Sequence, residues 1–212
     1  VSRLVLQKLS EFITYHPKEE YVLYNGVDTT KFYPEKTNEN NVFTIGCVAN
    51  FWHIKDQITL IKSVKILHEQ GKKILLKLIG TGPTLKMCKD FVSENNLSQN
   101  VVFVKEIKHE ELNSFFNQIN LFVLPSYYEA LGCVYLESWA TNTSFVAVKH
   151  QGISELIPSE LKDKMLVSPW DEIELSEKIL YFINNKIEFK FNTSFDIKNT
   201  ITHFLKNKIF HD

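Results

Sequence analysis

Residues 121–137 read LFVLPSYYEALGCVYLE. Leu121–Leu124 is apolar at every position, Pro125 closes it, and an apolar run of helical character opens at Cys133, directly after Gly132. A short, wholly apolar run bounded by turn residues is the mark of a strand covered on both faces, as in a parallel sheet. The helix start after Gly132 offers unpaired N–H groups and the positive end of a helix dipole, a natural seat for a phosphate. Two acids, Glu129 and Glu137, flank that start with seven residues between them. A carboxylate turned toward a phosphate would repel it. Turned aside, it is a pure hydrogen-bond acceptor, and sugar hydroxyls are donors. Acid, phosphate cradle, acid is the outline of a nucleotide sugar, with a sugar on each side of the phosphate.

The same alternation extends in both directions. Val42–Ala49, Ile74–Ile79, Val101–Val104, Phe145–Val148 and Met165–Val167 read as further strands. Gln57–Gln70 (closed by Gly71), Leu85–Asn95, His109–Gln118, Cys133–Ala140, Ile153–Ile157 and Glu172–Ile183 read as helices. This alternation predicts βαβ units and an α/β fold with a doubly wound parallel sheet. Ligands of such sheets bind beyond the carboxyl ends of the strands. The loops Asn50–Asp56, Gly80–Pro83, Lys105–His109, Ser126–Gly132 and Lys149–Ser154 are therefore expected along one edge. Phe195–His211 carries Ile197, Ile201, Phe204, Leu205 and Ile209 at helical spacing. It is either a terminal core helix or a helix that docks on something outside this chain. The polar run Glu35–Asn41 is expected to lack compact structure.

Composition narrows the function. A chain of 212 residues with 44% hydrophobic content can bury a sizeable core. Lys+Arg number 24 against 25 Asp+Glu, so no basic surface marks a nucleic-acid partner. Cys47, Cys88 and Cys133 are an odd set without CxxC, which argues against a disulfide framework or a zinc site and for a reducing compartment. No apolar run approaches the ~18–20 residues that span a bilayer. The chain opens VSRLVLQKLS, without a signal-peptide pattern or an initiator Met, and is expected to be a piece of a longer protein.

Single residues say less. Lys55, just before a helix, can reach a diphosphate as a point charge or simply stand solvated. Asp56 reads as a helix cap. His53, His109 and His150 fall in the candidate loops without metal-ligand spacing. Paired acid–base hydrolysis needs both glutamates at one scissile bond, yet one precedes the helix and the other lies in its second turn. A dinucleotide-binding dehydrogenase needs G-x-G-x-x-G, which Gly46–Asn50 does not supply.

Taken in order, several segments resemble the C-terminal half of glycosyltransferase family 4, whose enzymes have the two-domain GT-B fold. Asn25-Gly26-Val27-Asp28, with Phe32 and Pro34, resembles the family's junction segment. Gly46–Asp56 resembles its first phosphate-binding loop, Gly80-Thr81-Gly82-Pro83 its G-x-G-P turn, Pro125–Glu137 its E-x7-E motif, and Gly152 with Glu155 its G-x-x-E. The match covers about residues 21–185. The resemblance implies that Glu129 binds hydroxyls of the transferred sugar and that Glu137 holds the ribose hydroxyls. It implies that Leu131, Gly132, Cys133 and Val134 offer backbone to sugar and diphosphate, and that Lys55 neutralises the departing diphosphate. Lys55 and Glu129 are then the catalytic pair, and Asn50, Gly80, Gly82 and Glu106 fall at further donor-binding positions.

The resemblance also implies retention of anomeric configuration, a nucleotide-sugar donor (UDP being the commonest nucleotide), and no metal or other cofactor. The acceptor, a glycan or a lipid-linked sugar, would sit mainly on an N-terminal domain outside this sequence. Residues 1–20 would be a remnant of that domain or its linker, 21–190 the donor-binding domain, and 191–212 a helix packing toward the missing domain. Family habit places such enzymes in the cytoplasm or at the inner face of a membrane. The chain departs from the family at Asn50, where arginine is usual, at Lys105, where glycine is usual, and at Ala130, where proline is usual. Asn50 keeps open the alternative of a non-catalytic nucleotide-sugar-binding module.

Overall fold

Six runs rich in Ile, Val, Leu and Phe form strands β1 (Phe43–Val48), β2 (Ile74–Ile79), β3 (Val101–Val104), β4 (Leu121–Leu124), β5 (Phe145–Val148) and β6 (Leu166–Val167). The computed structural model describes residues 2–12, 14, 16–18, 20–36, 42–187 and 189–209, with backbone alone for 207–209. All pairings are parallel, and the order across the sheet is β3-β2-β1-β4-β5-β6. β1 pairs with β2 from Phe43 opposite Ile74 to Val48 opposite Ile79. Every residue of β4 and of β5 is buried, because helices cover both faces.

The helices are α1 (Arg3–Ser10), α2 (Gln57–Glu69), α3 (Leu85–Glu94), α4 (Leu112–Asn117), α5 (Cys133–Ala140), α6 (Ser159–Met165), α7 (Glu172–Asn184) and α8 (Ile197–Ile209). Leu60, Ile61, Val64 and Leu67 of α2 are fully buried, each stabilising the fold by roughly 1.5–3 kcal/mol. Gly71 ends α2 by donating to the His68 carbonyl at 2.8 Å, while the Lys72 N–H reaches the Leu67 carbonyl at 3.0 Å. Under β4 and β5 the rings of Phe116, Phe122, Tyr135 and Phe145 pack in sequence at centroid distances of 5.5, 5.5 and 5.1 Å. The Tyr135 hydroxyl donates to the Leu124 carbonyl at 2.7 Å and so ties α5 to the end of β4.

Most predicted elements are present within a residue or two. His109–Gln118 divides into a 3-10 turn at His109–Glu111 and α4, Ile153–Ile157 is a 3-10 turn at Gly152–Glu155, and Met165 belongs to α6. Two helices escape the pattern. α6 has only Leu161 and Met165 as an apolar pair in SELKDKM, too few to show a period. α1 buries none of its own residues; the Glu155 carboxylate accepts its Arg3 and Leu4 N–H groups at 3.0 and 2.7 Å. The same carboxylate accepts the Tyr24 hydroxyl at 2.6 Å; burial, then this bond, raises that phenol to about 12.

α8 rests on the segment before β1. Val27 donates to the Phe195 carbonyl and Ile197 to the Val27 carbonyl, both at 2.9 Å, and Tyr21 meets Phe204 ring to ring at 5.4 Å. Ile201 and Leu205 are exposed on its outer side. The side chain of Ile209 and residues 210–212 lie outside the described residues, as do residues 37–41 of the polar run predicted to lack structure. The described start of that run is held, with the Glu35 N–H on Asn117 Oδ1 at 2.7 Å. Among the described residues no helix is long and apolar enough to cross a membrane.

The end of β6 is fastened to α7 by a carboxylate. Glu174 accepts from the Ser168 N–H at 2.7 Å and from Lys149 Nζ at 2.9 Å. Burial pushes its carboxyl up, but the Lys149 ammonium and the Ser168 donors outweigh this and hold it at about 2. An unfolded glutamate titrates near ~4.3, so the contribution is complete above that pH and is lost as the pH falls through the folded value. The urea midpoint should therefore drop on acidification below about pH 4.3, and Glu174→Gln should flatten that drop while lowering the midpoint at neutral pH.

Candidate functional site

The winding of the sheet reverses between β1 and β4, so the loops that follow these strands part around a crevice at the carboxyl edge. The loops predicted along that edge are knitted together by backbone hydrogen bonds. Phe51 donates to the Thr81 carbonyl at 2.8 Å, Gly80 to Val104 at 3.0 Å, Tyr127 to Ile54 at 3.1 Å and Gly152 to Glu129 at 3.2 Å. Ser126 Oγ adds a contact to the Ile54 carbonyl at 2.9 Å. A Cβ on Gly82 would collide with the Phe51 carbonyl oxygen, and one on Gly80 with that of Ala49. These glycines let the second loop lie directly on the first.

Lys55 ends a 3-10 turn, His53–Lys55, and its ammonium pairs with Glu129 across the crevice. Both side chains are largely covered, at 26% and 14% exposure. Glu129 is held at three points: its carboxylate by Lys55, its N–H by Gln151 Oε1, and its carbonyl by the Gly152 N–H. Three residues later Gly132 occupies the cap position of α5 with φ of 76°, a left-handed conformation that L residues rarely adopt. No side chain caps this N-terminus and its first turn holds no acid. The Cys133 thiol is exposed and accepts from Asn25 Nδ2 at 3.0 Å. Leu131 is buried.

Glu137 stands in the second turn of α5 at 15% exposure, with Oε1 3.2 Å from His109 Nε2. Burial raises its carboxyl above the usual range, and His109 opposes that rise. The structure thus places Lys55, Glu129, Gly132 and Glu137 around one helix start. Asn50 is exposed, and its carbonyl is held by Gln57 Nε2 at 3.0 Å. Glu106 is exposed in the loop after β3. Asp56 occupies the cap position of α2; among the described residues its Oδ2 is buried without a partner, and burial raises its carboxyl while hydrogen bonding to Thr59, in the first turn of α2, opposes that rise.

Sequence reasoning missed Gln57, Gln151 and the α1–Glu155 contact. Gln57 and Gln151 are 2% and 3% exposed, so each buries an amide that must be satisfied, and each spends it on a strand-end loop. Their positions in or beside predicted edge loops were the available signal.

The fold is that of GT-B glycosyltransferase structures. The family of glycosyl transferases group 1 matches residues 29–200, and the chain belongs to it. An uncharacterized glycosyltransferase of Methanocaldococcus jannaschii is 28% identical over 186 residues, covering 88% of this chain and 49% of that protein. The chain thus spans about half the length of this curated relative. The sucrose-phosphate synthase of Thermosynechococcus elongatus superimposes with a TM-score of 0.81 at 21% identity, over 99% of this chain and 57% of that one. The C-terminal domain of a glycosyl transferase group 1 family protein from Francisella tularensis does so at 0.67 and 20% identity, over 88% of this chain and 100% of that one.

Gly132→Ala tests the helix start. A Cβ there would lie 2.8 Å from the Tyr135 ring in a left-handed backbone. The variant is expected to lose about 1–2 kcal/mol of stability, read from the urea midpoint.

Proposed function

We propose that the chain is the donor-binding, C-terminal half of a family 4 retaining glycosyltransferase. It moves a sugar from a nucleotide sugar, a UDP-sugar in the first instance, to a glycan or glycolipid acceptor. The observation that carries this reading is the arrangement around α5: Lys55 paired with Glu129 on one side of an uncapped helix start, and Glu137 in a half-buried site one turn farther along. A diphosphate at that N-terminus would lie between two carboxylates that are turned aside to accept hydroxyls. Glu129 would hold the transferred sugar and Glu137 the ribose. The backbone at Leu131, Gly132, Cys133 and Val134 would face the diphosphate.

Lys55 would stabilise the charge that develops on the leaving diphosphate. Glu129 pairs with this lysine, so an arriving diphosphate would share or take over that ammonium. Asn50, Gly80, Gly82 and Glu106 complete the donor side. The reading calls for no metal. The acceptor would lie on an N-terminal domain, with residues 1–20 as the remnant of its linker and residues 191–212 packing toward it. The chain alone would bind donor without turnover. The setting would be the cytoplasm or the inner face of a membrane.

A non-catalytic nucleotide-sugar-binding module is favoured by one feature, Asn50 in place of the expected arginine. Asn50→Arg in the full-length protein separates the two: transfer gained from none would mark a binding module, and transfer already present would mark an enzyme.

Calorimetric titration of the chain with UDP, GDP and ADP, without metal, tests the donor site. One nucleotide is expected to bind. Glu137→Ala should weaken it by roughly 1.5–3 kcal/mol, the value of a hydrogen bond to a charged group. Glu129→Ala should leave UDP binding intact and weaken the UDP-sugar. Equal losses for both ligands would refute this division of labour, and no binding by any nucleotide, in the chain or in the full-length protein, would refute the reading.

A further inference from the structure

The donor reading leaves one contact unexplained, the one between Glu137 and His109. Glu137 is the most enclosed of the acids that would meet the donor's nucleoside, and desolvation acts against its charge. A neutral carboxyl gains a proton to donate and loses acceptor capacity, which is the wrong chemistry for gripping hydroxyls. His109 comes from the turn after β3, 28 residues earlier in the chain. Its Nε2 faces Glu137 Oε1, and because an ionised carboxylate only accepts, that nitrogen carries the hydrogen. The imidazole is itself held edge-to-face against Phe32, at 5.3 Å between centroids and 80° between planes. Phe32 is 3% exposed and belongs to the segment before β1, so two separate parts of the chain fix the ring over α5.

Among the described residues no other charged group forms an ion pair with Glu137. Glu110 and Glu111 follow His109 on its own turn, and Glu111 is turned back onto the Lys108 N–H at 2.8 Å. Lys31, beside Phe32, acts on Asp28. Asn25 reaches the first residue of α5 but carries no charge. Among the described residues neither Lys105 nor Glu106 forms an ion pair with Glu137.

We propose that His109 is a positioning residue for the nucleoside end of the donor, keeping the Glu137 carboxylate aimed and in its charged, acceptor-only form. This rests on the donor-site reading. A donor on Oε1 favours the ionised form of the carboxylate over the neutral one. Glu137 Oε2 stays free of His109 for the ribose. The consequence is that nucleotide binding survives mild acid.

The test compares wild type with His109→Gln, which keeps an amide donor but no titratable charge. First, the Glu137 side-chain carboxyl is followed by 13C NMR from pH 8 to pH 4 without ligand. Its protonation is expected at higher pH in the variant; coincident curves would overturn the proposal. Second, UDP is titrated calorimetrically at pH 7.5 and pH 5.5. The ratio of variant to wild-type affinity, which cancels the ligand's own titration, is expected to fall by about two- to fivefold between them, the scale of a half-exposed ion pair. An equal ratio at both pH values would mean a merely structural role and would overturn the proposal. A displaced carboxyl curve with no UDP binding by wild type would reject the donor reading, and the ribose role with it, leaving only an ion pair.

Discussion

The direction of the strands governs everything else in this molecule. Each of the first five strands is followed by a crossover that returns the chain to the same end of the sheet, so all six point one way. Crossovers bring helices onto both faces, which is why β4 and β5 are buried throughout. The same parallelism delivers every strand-to-loop junction to a single edge. Reversal of the winding between β1 and β4 then opens that edge at one place, and there the loop carrying Lys55 faces the loop carrying Glu129. The crevice is a consequence of topology before any side chain is considered.

Charge within the crevice is balanced by a pair of side chains. Lys55 and Glu129 neutralise one another, while the start of α5 keeps its positive dipole end without a capping side chain. Beside that helix start stands a lysine whose partner is anchored by Gln151 and Gly152. Preorganisation of this kind lowers the reorganisation needed on binding. Farther along α5, Glu137 meets a histidine from another loop.

Much of this was legible in the chain. The nearly all-apolar runs marked the strands, because both faces are covered, and Gly71 marked the end of α2, because its N–H completes the carbonyl bonding there. Gly132 and the two glutamates marked the helix start and its flanks. What escaped were α6, whose single apolar pair shows no period, and α1, whose N-terminal N–H groups are satisfied by Glu155 about 150 residues away. Asp56 stands at the cap position of α2 as read, in a left-handed conformation with φ of 50° that the sequence did not announce.

The sequence by itself determined the α/β class, the bounds of most strands and helices to within a residue or two, and the set of loops that share an edge. These follow from local periodicity, from turn residues and from the single handedness of parallel crossovers. Only the tertiary structure decided which residues meet. The pairing of Lys55 with Glu129, of Gln151 with the Glu129 amide, and of His109 with Glu137 joins positions 74, 22 and 28 residues apart. No periodicity encodes such distances. They arise because the order of strands in the sheet differs from their order in the chain, and that order is settled by how the helices bury their apolar faces.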